Sequence, residues 1–211
     1  MTFEAVHSLR NPIDAGLYAE IRRRATAYPF AFSTDRDGTP VEGAEVWFAW
    51  NEDGLYVGAA LEDSFLIAQN RNDEELHFES GDVLELFAKP VGDTYYWEMY
   101  ATPFGNKTTL FFPREREGMI LDQFLHAHDF QGLQVAAAES DEGWRAEMWV
   151  PAEQLQAFGA SWGLGSEWTL FCGRYNYNNS ELADPELSMV PALSATNYHL
   201  TAEYAALRFL D

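Results

Sequence analysis

Cysteine is nearly absent from this sequence, since Cys172 is the only one among 211 residues. A single cysteine excludes an intramolecular disulfide, a zinc ribbon and a CxxC redox site. The surrounding segment, TLFCGRY, predicts a buried strand, so the thiol is expected to lie in the core. A chain of this length buries a sizeable core without disulfides or metals.

Positive charge is also scarce. There are 13 Lys and Arg residues against 34 Asp and Glu residues, which gives a formal net charge of −21. A field of this sign repels phosphate groups, so neither nucleic acid nor an anionic membrane is an expected partner. Neutral sugars, cations and basic proteins stay open, as does a role in solubility alone. The basic cluster Arg22–Arg24 is expected on the solvated face of a short helix.

Long apolar runs are missing as well. No stretch approaches the roughly eighteen apolar residues of a membrane helix. The first residues, MTFEAVHSLRNPIDAG, lack the basic segment and apolar run of a secretory signal, so a full-length chain is expected in the cytoplasm. No repeat and no Pro-, Ser- or Gly-rich linker divides the sequence, which predicts one domain over residues 1–211.

Strand patterns dominate what is present. Aromatic residues make up 15% of the chain, and their large, stiff side chains suit a pleated surface. The segment GAEVWFAWNEDGLYVGAALED predicts a hairpin, because Asp53-Gly54 supplies the positive φ of a tight turn. The alternation is expected to divide the hairpin between two faces, with Trp47, Ala49, Leu55 and Val57 on one and Trp50 and Tyr56 on the other.

About eight or more strands, few helices and no regular alternation of strands with helices indicate the fold class. We expect an all-β, two-sheet antiparallel β-sandwich, similar to a jelly roll, with one or two short helices. In the strand DVLELFAKP, Glu85 shares a face with Val83 and Phe87, which is unusual for a carboxylate. The polar segment SFLIAQNRNDEELHFESG before it predicts a long loop, and such loops tend to be functional.

The order of five short motifs resembles the family 9 carbohydrate-binding modules and the domains similar to them. The matching segments are Gly54–Val57, Asp82–Phe87, Tyr96–Gly105, Gly143–Pro151 and Tyr198–Leu207. The resemblance implies a β-sandwich that binds sugar on a concave face or at loop ends, often with structural calcium. It implies a non-catalytic domain that recognises a neutral sugar or a polysaccharide end.

The sugar site of the family resembles a slot between two tryptophans, completed by charged and amide side chains. Phe78 stands near the position of the first tryptophan, and Met189 occupies the region of the second, so the paired-indole slot is missing. The ligand-binding residues implied by the resemblance are Phe78, Asp82, Glu85, Tyr100, Thr102, Arg174 and Asn176.

Two interpretations of Glu85 stay open. It accepts hydrogen bonds from a sugar hydroxyl, or it pairs with Arg174 as a buried polar anchor, because a buried unpaired carboxylate is costly. The second interpretation belongs to an alternative function, in which the scaffold has lost the sugar site and binds another small ligand or a protein partner. Among the tryptophans, Trp50 and Trp97 are the strongest candidates for exposed rings.

Other kinds of site have weaker support. Calcium, which prefers six to eight oxygen ligands, is implied by the resemblance, and the candidate ligands are Asn70, Asn72, Asp73 and Glu74. The pair His126 and His128 has no evident third metal ligand and predicts a solvated loop. His199 matches the histidine of the closing motif and is expected to be a hydrogen-bonded structural group.

Two further functions are kept as less favoured alternatives. A related sandwich family binds haem through Met and His ligands, and Met99 lies on a suitable strand. Glycoside hydrolysis needs two carboxyl groups that face each other across a cleft. The acidic residues near one another along the strands are Glu79, Asp82, Glu85 and Glu98.

Overall fold

The computed structural model of the chain describes residues 1–114 and 130–211. These residues are nearly all-β, as the sequence patterns predict. The strands within the described ranges are β1 (Thr2–His7), β2 (Tyr28–Pro29), β3 (Ala44–Asn51), β4 (Gly54–Glu62), β5 (Val83–Pro90), β6 (Tyr96–Ala101), β7 (Lys107–Phe112), β8 (Gln134–Ser140), β9 (Gly143–Pro151), β10 (Trp168–Asn176), β11 (Glu186–Val190) and β12 (Ala205–Phe209). The helices in the same ranges are α1 (Tyr18–Arg24), α2 (Ala152–Leu155) and the 3₁₀ helices His77–Glu79 and Thr201–Glu203.

All of these strands join one hydrogen-bonded sheet. Its order is β7-β6-β5-β10-β12-β1-β3-β4-β9-β8, with β11 also paired to β10 and β2 to β3. Neighbours are antiparallel except at β1, which runs parallel to both β12 and β3. The expected division into two separate antiparallel sheets is therefore corrected to one nearly closed sheet. The N-terminal strand makes the difference, because it pairs with two edges that would otherwise be exposed.

The two halves of this sheet enclose a shared apolar core. Alternate residues of β5, such as Leu84 and Leu86, face alternate residues of β3, such as Phe48 and Trp50, across it. Cys172 lies in this core, as expected, and burial raises the pKa of its thiol. Trp50 and Trp97 are also buried, so the expectation that they carry exposed rings is wrong.

The β3–β4 hairpin forms where it was predicted, but neither Asp53 nor Gly54 has the expected positive φ, and the predicted faces are wrong. Trp50 lies opposite Leu55, and Ala49 lies opposite Tyr56. Cross-strand partners share a face of the sheet. Trp50 and Leu55 therefore face the shared core, whereas Ala49 and Tyr56 face outward. The expectation that grouped Trp47 with Leu55 was wrong because the turn at Glu52 and Asp53 fixes this register.

The outward faces of the two halves differ. On the half formed by β3, β4 and β9, α1 places Ile21 against Trp47 and Tyr56. On the half formed by β5, β6, β7 and β10, the outward face carries a second group of buried side chains, here named the outer aromatic cluster. Its buried members are Val83, Phe87, Tyr96, Tyr100, Leu110, Phe112, Phe171, Met189, Leu193, Tyr198 and Tyr204. In the described ranges, the helices are too short to cross a membrane.

Candidate functional site

Three of the residues predicted to bind ligand come together on the outer aromatic cluster. Glu85 and Tyr100 are direct partners across β5 and β6. The Phe78 ring meets the Tyr100 ring edge-on, with 6.3 Å between centroids. Phe78 reaches this position because its 3₁₀ helix lies over the sheet at the end of the long loop before β5. The alternation predicted for β5 is confirmed, since Glu85 shares the face of Val83 and Phe87.

A second aromatic ring completes this group. Tyr175 of β10 lies 5.3 Å from Phe78 between ring centroids, and the planes are tilted by 42°. Both rings are only partly buried, unlike the tyrosines beneath them. The family motifs did not select Tyr175, although the run of residues 174–179 that contains it has an aromatic and amide composition typical of sugar sites. The available signal was the alternation in β10, where Phe171 and Tyr175 fall on the same face.

The Glu85 carboxyl group is buried without a hydrogen-bond partner among the described residues. Only 2% of the residue is exposed, yet no N–H or O–H group of the described ranges donates to it. Burial, and then the nearby Glu98, raise the pKa of the Glu85 carboxyl well above its usual range. The fully enclosed side-chain atoms without a hydrogen-bond partner in the described ranges lie on other residues, such as Trp47 and His77, so the small exposed part of Glu85 includes its carboxyl oxygens.

Glu98 lies on the same face and has different surroundings. The Tyr100 hydroxyl donates a hydrogen bond to Glu98 Oε1. His199 Nε2 stands 4.0 Å from Glu98 Oε2, and His199 Nδ1 shares a hydrogen bond of 2.9 Å with the Tyr96 hydroxyl. His199 therefore joins the loop before β12 to the outer aromatic cluster, in agreement with the structural role expected for it.

Arg174 and Asn176 lie on the opposite face of the sheet from Glu85. Arg174 is fully buried, and its guanidinium lies 3.4 Å from the Asp63 carboxylate. Its Nη2 donates to Asn176 Oδ1 at 2.7 Å, and Asn176 Nδ2 donates to the Glu42 carboxylate at 2.6 Å. The interpretation that Arg174 pairs with Glu85 is wrong, because alternation along β10 places Arg174 beside the core residue Leu84.

The side chains of Glu42, Asp63, Arg174 and Asn176 are here named the internal polar group. Asp82 belongs to this group as well. Its two oxygens accept backbone N–H hydrogen bonds from Ile67 and Tyr177, each at 2.7 Å. Burial, and then the nearby Asp63, raise the pKa of Asp82 to about 7. These bonds join two loops at one end of the sheet. Both oxygens of Asp82 are thus bonded to the protein backbone, and Asp82 does not share the strand face of Glu85.

Thr102 stands apart from the other predicted site residues. It lies just beyond β6 and is fully buried. Its Oγ1 accepts a hydrogen bond of 3.0 Å from the backbone N–H of Asn106, which closes the turn between β6 and β7. The structure therefore brings Phe78, Glu85 and Tyr100 together, places Asp82, Arg174 and Asn176 in the internal polar group, and leaves Thr102 in a turn.

The candidate calcium ligands accept hydrogen bonds from nearby backbone N–H groups of the same chain. Asp73 Oδ1 accepts the backbone N–H of Lys107 at 3.2 Å. Glu74 Oε2 accepts the backbone N–H of Thr109 at 2.9 Å, and Asn70 Oδ1 accepts that of Asn72 at 3.0 Å. Across residues 1–114 and 130–211, the acidic, histidine and cysteine side chains form no group of three that could hold a metal ion. His126 and His128 lie outside the described residues.

The structure also shows where the residues considered for haem binding and for glycoside hydrolysis lie. Met99 faces the shared core and is fully buried, as is Met189 on the outer aromatic cluster. The four carboxyl groups considered for hydrolysis do not line one cleft. Glu85 and Glu98 are buried on the outward face, Asp82 belongs to the internal polar group, and Glu79 is exposed.

A cleft lies on the other half of the molecule. It has a volume of about 780 Å³ and lies between α1 and the β8–β9 hairpin. Arg22 bonds to Glu45 at 2.7 Å along its wall, and the Arg145 guanidinium lies 4.9 Å from the centre of the Tyr18 ring. Its lining includes none of the residues predicted to bind ligand.

Comparison with solved structures supports the fold expected from the sequence motifs. A protein from Bacteroides uniformis ATCC 8492, provisionally named as carbohydrate-binding, aligns with a TM-score of 0.74 at 12% identity, over 99% of each chain. A family 9 carbohydrate-binding module from Caldicellulosiruptor kristjanssonii, in complex with cellotriose, aligns with a TM-score of 0.70 at 12% identity. That alignment covers 99% of this chain and 93% of the module.

The module from Caldicellulosiruptor kristjanssonii in complex with glucose gives a TM-score of 0.66 at 12% identity, over 98% of this chain and 95% of the other. No protein-family model matches the sequence, and a search of curated proteins gives no match. The expected resemblance to family 9 modules is thus confirmed as a likeness of fold along almost the whole chain.

Proposed function

We propose that residues 1–211 form a non-catalytic carbohydrate-binding domain that recognises a neutral sugar or a polysaccharide end. The observation that carries this proposal is the Glu85 carboxyl group, which is 2% exposed and has no hydrogen-bond partner among the described residues. It lies on the face where two partly exposed rings, Phe78 and Tyr175, approach to 5.3 Å.

This combination suits a sugar for chemical reasons. Aromatic surfaces accept the apolar C–H faces of pyranose rings, and a carboxyl group bonds to their hydroxyls. A sugar hydroxyl at Glu85 would supply the partner that the protein does not provide. The fold supports the same assignment, since the similar modules from Caldicellulosiruptor kristjanssonii hold cellotriose and glucose.

The charge of the chain narrows the class of sugar. With a net charge of −21, the chain disfavours uronic acids and sulfated sugars. A neutral sugar is not repelled by this negative charge. The proposed site also lacks the open cleft between two carboxyl groups on which glycoside hydrolysis depends, which favours binding without catalysis.

The test is a titration of the folded protein with neutral sugars by isothermal calorimetry. The probes are cello-, manno- and xylo-oligosaccharides of one to six residues. We expect at least one series to bind, and Phe78→Ala to weaken that binding about threefold to tenfold through loss of ring contact. Leu164→Ala, at a side chain 62% exposed and outside the outer aromatic cluster, is the control. Absence of binding by the folded protein to every series refutes the proposal.

The cleft between α1 and the β8–β9 hairpin favours a second candidate, the binding of a different small ligand. Its walls carry the guanidinium groups of Arg22 and Arg145 beside the carboxylates of Glu45 and Glu62. Adjacent groups of both signs suit a zwitterion such as an amino acid or short peptide. A thermal-shift screen of amino acids and dipeptides tests it. A rise in melting temperature that Arg145→Ala abolishes supports it, and no rise with any of them refutes it.

A further inference from the structure

The Phe78 ring projects from a single turn of 3₁₀ helix, His77–Glu79, which has few bonds of its own. Within this turn, the Glu79 N–H group donates to the Leu76 carbonyl oxygen at 3.0 Å. A helix this short does not hold a fixed position without contacts from elsewhere in the fold. The position of the Phe78 ring therefore depends on what ties the turn to the sheet.

A side-chain hydrogen bond joins this turn to the end of β10. The Tyr177 hydroxyl donates to the Phe78 carbonyl oxygen at 2.6 Å. Tyr177 is only 5% exposed and follows Tyr175, whose ring approaches Phe78, by two residues. The His77 ring is also buried, but neither of its nitrogens has a hydrogen-bond partner in the described ranges, so it supplies no polar anchor. Tyr177 thus ties the backbone of one ring of the proposed site to the strand that carries the other.

The backbone of Tyr177 is fixed in turn by the internal polar group. Its N–H donates to Asp82 Oδ1 at 2.7 Å, and Asp82 Oδ2 accepts the backbone N–H of Ile67 at the same distance. Asp82 is fully buried and lies near the charges of Asp63 and Arg174. Tyr177 is therefore held at its backbone and bonded at its hydroxyl, and it connects the buried charges to the 3₁₀ turn.

We infer that Tyr177 is a positioning residue of the proposed sugar site, which holds the Phe78 ring beside Tyr175 before any ligand binds. The inference rests on the proposed carbohydrate-binding function. A ring that is already in place does not have to be ordered when the sugar arrives, so the affinity is higher than with a mobile turn. Tyr177 acts through Phe78, because its hydroxyl proton is donated within the protein and its side chain is almost enclosed.

A double-mutant cycle tests whether Tyr177 acts through Phe78. The probes are cello-, manno- and xylo-oligosaccharides of one to six residues, titrated by calorimetry. Tyr177→Phe removes the hydroxyl and keeps the ring, and we expect it to weaken binding about threefold to tenfold. In the Phe78→Ala background the same change should have almost no further effect, because the ring that it positions is gone. A residue with only a general effect on the fold would give additive losses.

Amide hydrogen exchange measures the turn without sugar. The Glu79 amide should exchange about threefold to tenfold faster in Tyr177→Phe than in the wild-type protein, because the turn has lost a tie to β10. Tyr18→Phe is the control, since the Tyr18 hydroxyl also donates to a backbone carbonyl, that of Ala59 at 3.0 Å, on the other half of the molecule. It should change neither the exchange at Glu79 nor the sugar affinity. Circular dichroism melting shows that each variant is folded.

The results distinguish the positioning role from the proposed function. If the wild-type protein binds a sugar, any one of three outcomes overturns the positioning role alone: additive losses in the cycle, unchanged affinity in Tyr177→Phe, or unchanged exchange at Glu79. Failure of every sugar to bind the folded wild-type protein overturns both.

Discussion

Glu85 and Tyr100 lie directly opposite each other on β5 and β6, yet the Tyr100 hydroxyl donates to Glu98 and not to its cross-strand partner. Glu85 therefore keeps a buried carboxyl group to which no described residue donates. A site of this kind is expected to cost stability in the free protein and to gain it back when a ligand supplies the missing hydrogen bond.

The pH dependence of stability should report this buried carboxyl group. The pKa of Glu85 is raised in the folded state, so the native protein holds a proton that the unfolded chain releases above about pH 4.5. The free energy of unfolding therefore falls as the pH rises from that value toward the raised pKa. Glu85→Gln lacks this loss, and its stability relative to the wild-type protein should increase with pH.

Urea unfolding between pH 4 and pH 8 measures this difference. Glu153→Gln, on the exposed surface of α2, controls for the removal of one acidic group. A stability difference between Glu85→Gln and the wild-type protein that stays constant across this range would contradict the account of Glu85.

The ring pair at the proposed sugar site should contribute to binding separately from the fold. Tyr175→Ala removes the partner that lies 5.3 Å from Phe78, and we expect sugar affinity to fall about threefold to tenfold. Tyr175→Phe keeps the ring and should retain most of the affinity. Calorimetry compares the two variants, and equal losses in both would assign the effect to the hydroxyl group and not to ring contact.

Removing one partner of the buried ion pair between Arg174 and Asp63 should destabilise the fold. Arg174 and Asp63 side chains are both fully buried, so Arg174→Met leaves an uncompensated carboxylate in the interior. We expect a loss of about 3–5 kcal/mol in the free energy of unfolding. The double variant Arg174→Met with Asp63→Leu should be destabilised less than the single one. Chemical denaturation checks this, and additive effects of the two changes would contradict the pairing.

Stability should also depend on the close contact between Gly173 of β10 and the Tyr198 ring. A Cβ atom at Gly173 would lie 2.4 Å from Cε2 of Tyr198, whose ring packs on this glycine. Gly173→Ala is expected to displace Tyr198 and to cost about 1–3 kcal/mol. At Gly43 an added Cβ meets only the flexible end of Glu62, at 3.1 Å, so Gly43→Ala is the control. Thermal melting compares them, and equal melting temperatures would count against this packing.

Local patterns predicted most strands and turns, because alternation and turn residues act over a few positions. The position of β1 could not be predicted in this way, since its parallel pairing with β3 and β12 joins residues far apart in sequence. The strand β11 was not predicted either. Its residues Glu186–Val190 pair with Cys172–Asn176 of β10, and a local pattern does not identify the partner of a short strand.

The candidate site was predictable to the extent that it depends on alternation within one strand. The position of Glu85 beside Val83 and Phe87 on β5 indicated a carboxyl group on an apolar face, which the structure shows to be the outward one. For Arg174 the resemblance suggested a ligand contact, whereas its spacing from Leu170 and Cys172 already placed it on the core side. Which loop covers the face, and hence the meeting of Phe78 with Tyr175, depends on tertiary packing that the sequence pattern does not encode.

The most direct test of the central claim measures stability and sugar affinity on one variant, Glu85→Leu. Leucine is similar in size to glutamate and has no group to satisfy, so we expect the free energy of unfolding to rise by about 1–3 kcal/mol. We expect sugar affinity to fall about tenfold or more at the same time. A Glu85→Leu protein that is less stable and binds sugar as the wild-type protein does would contradict the claim that Glu85 serves a ligand.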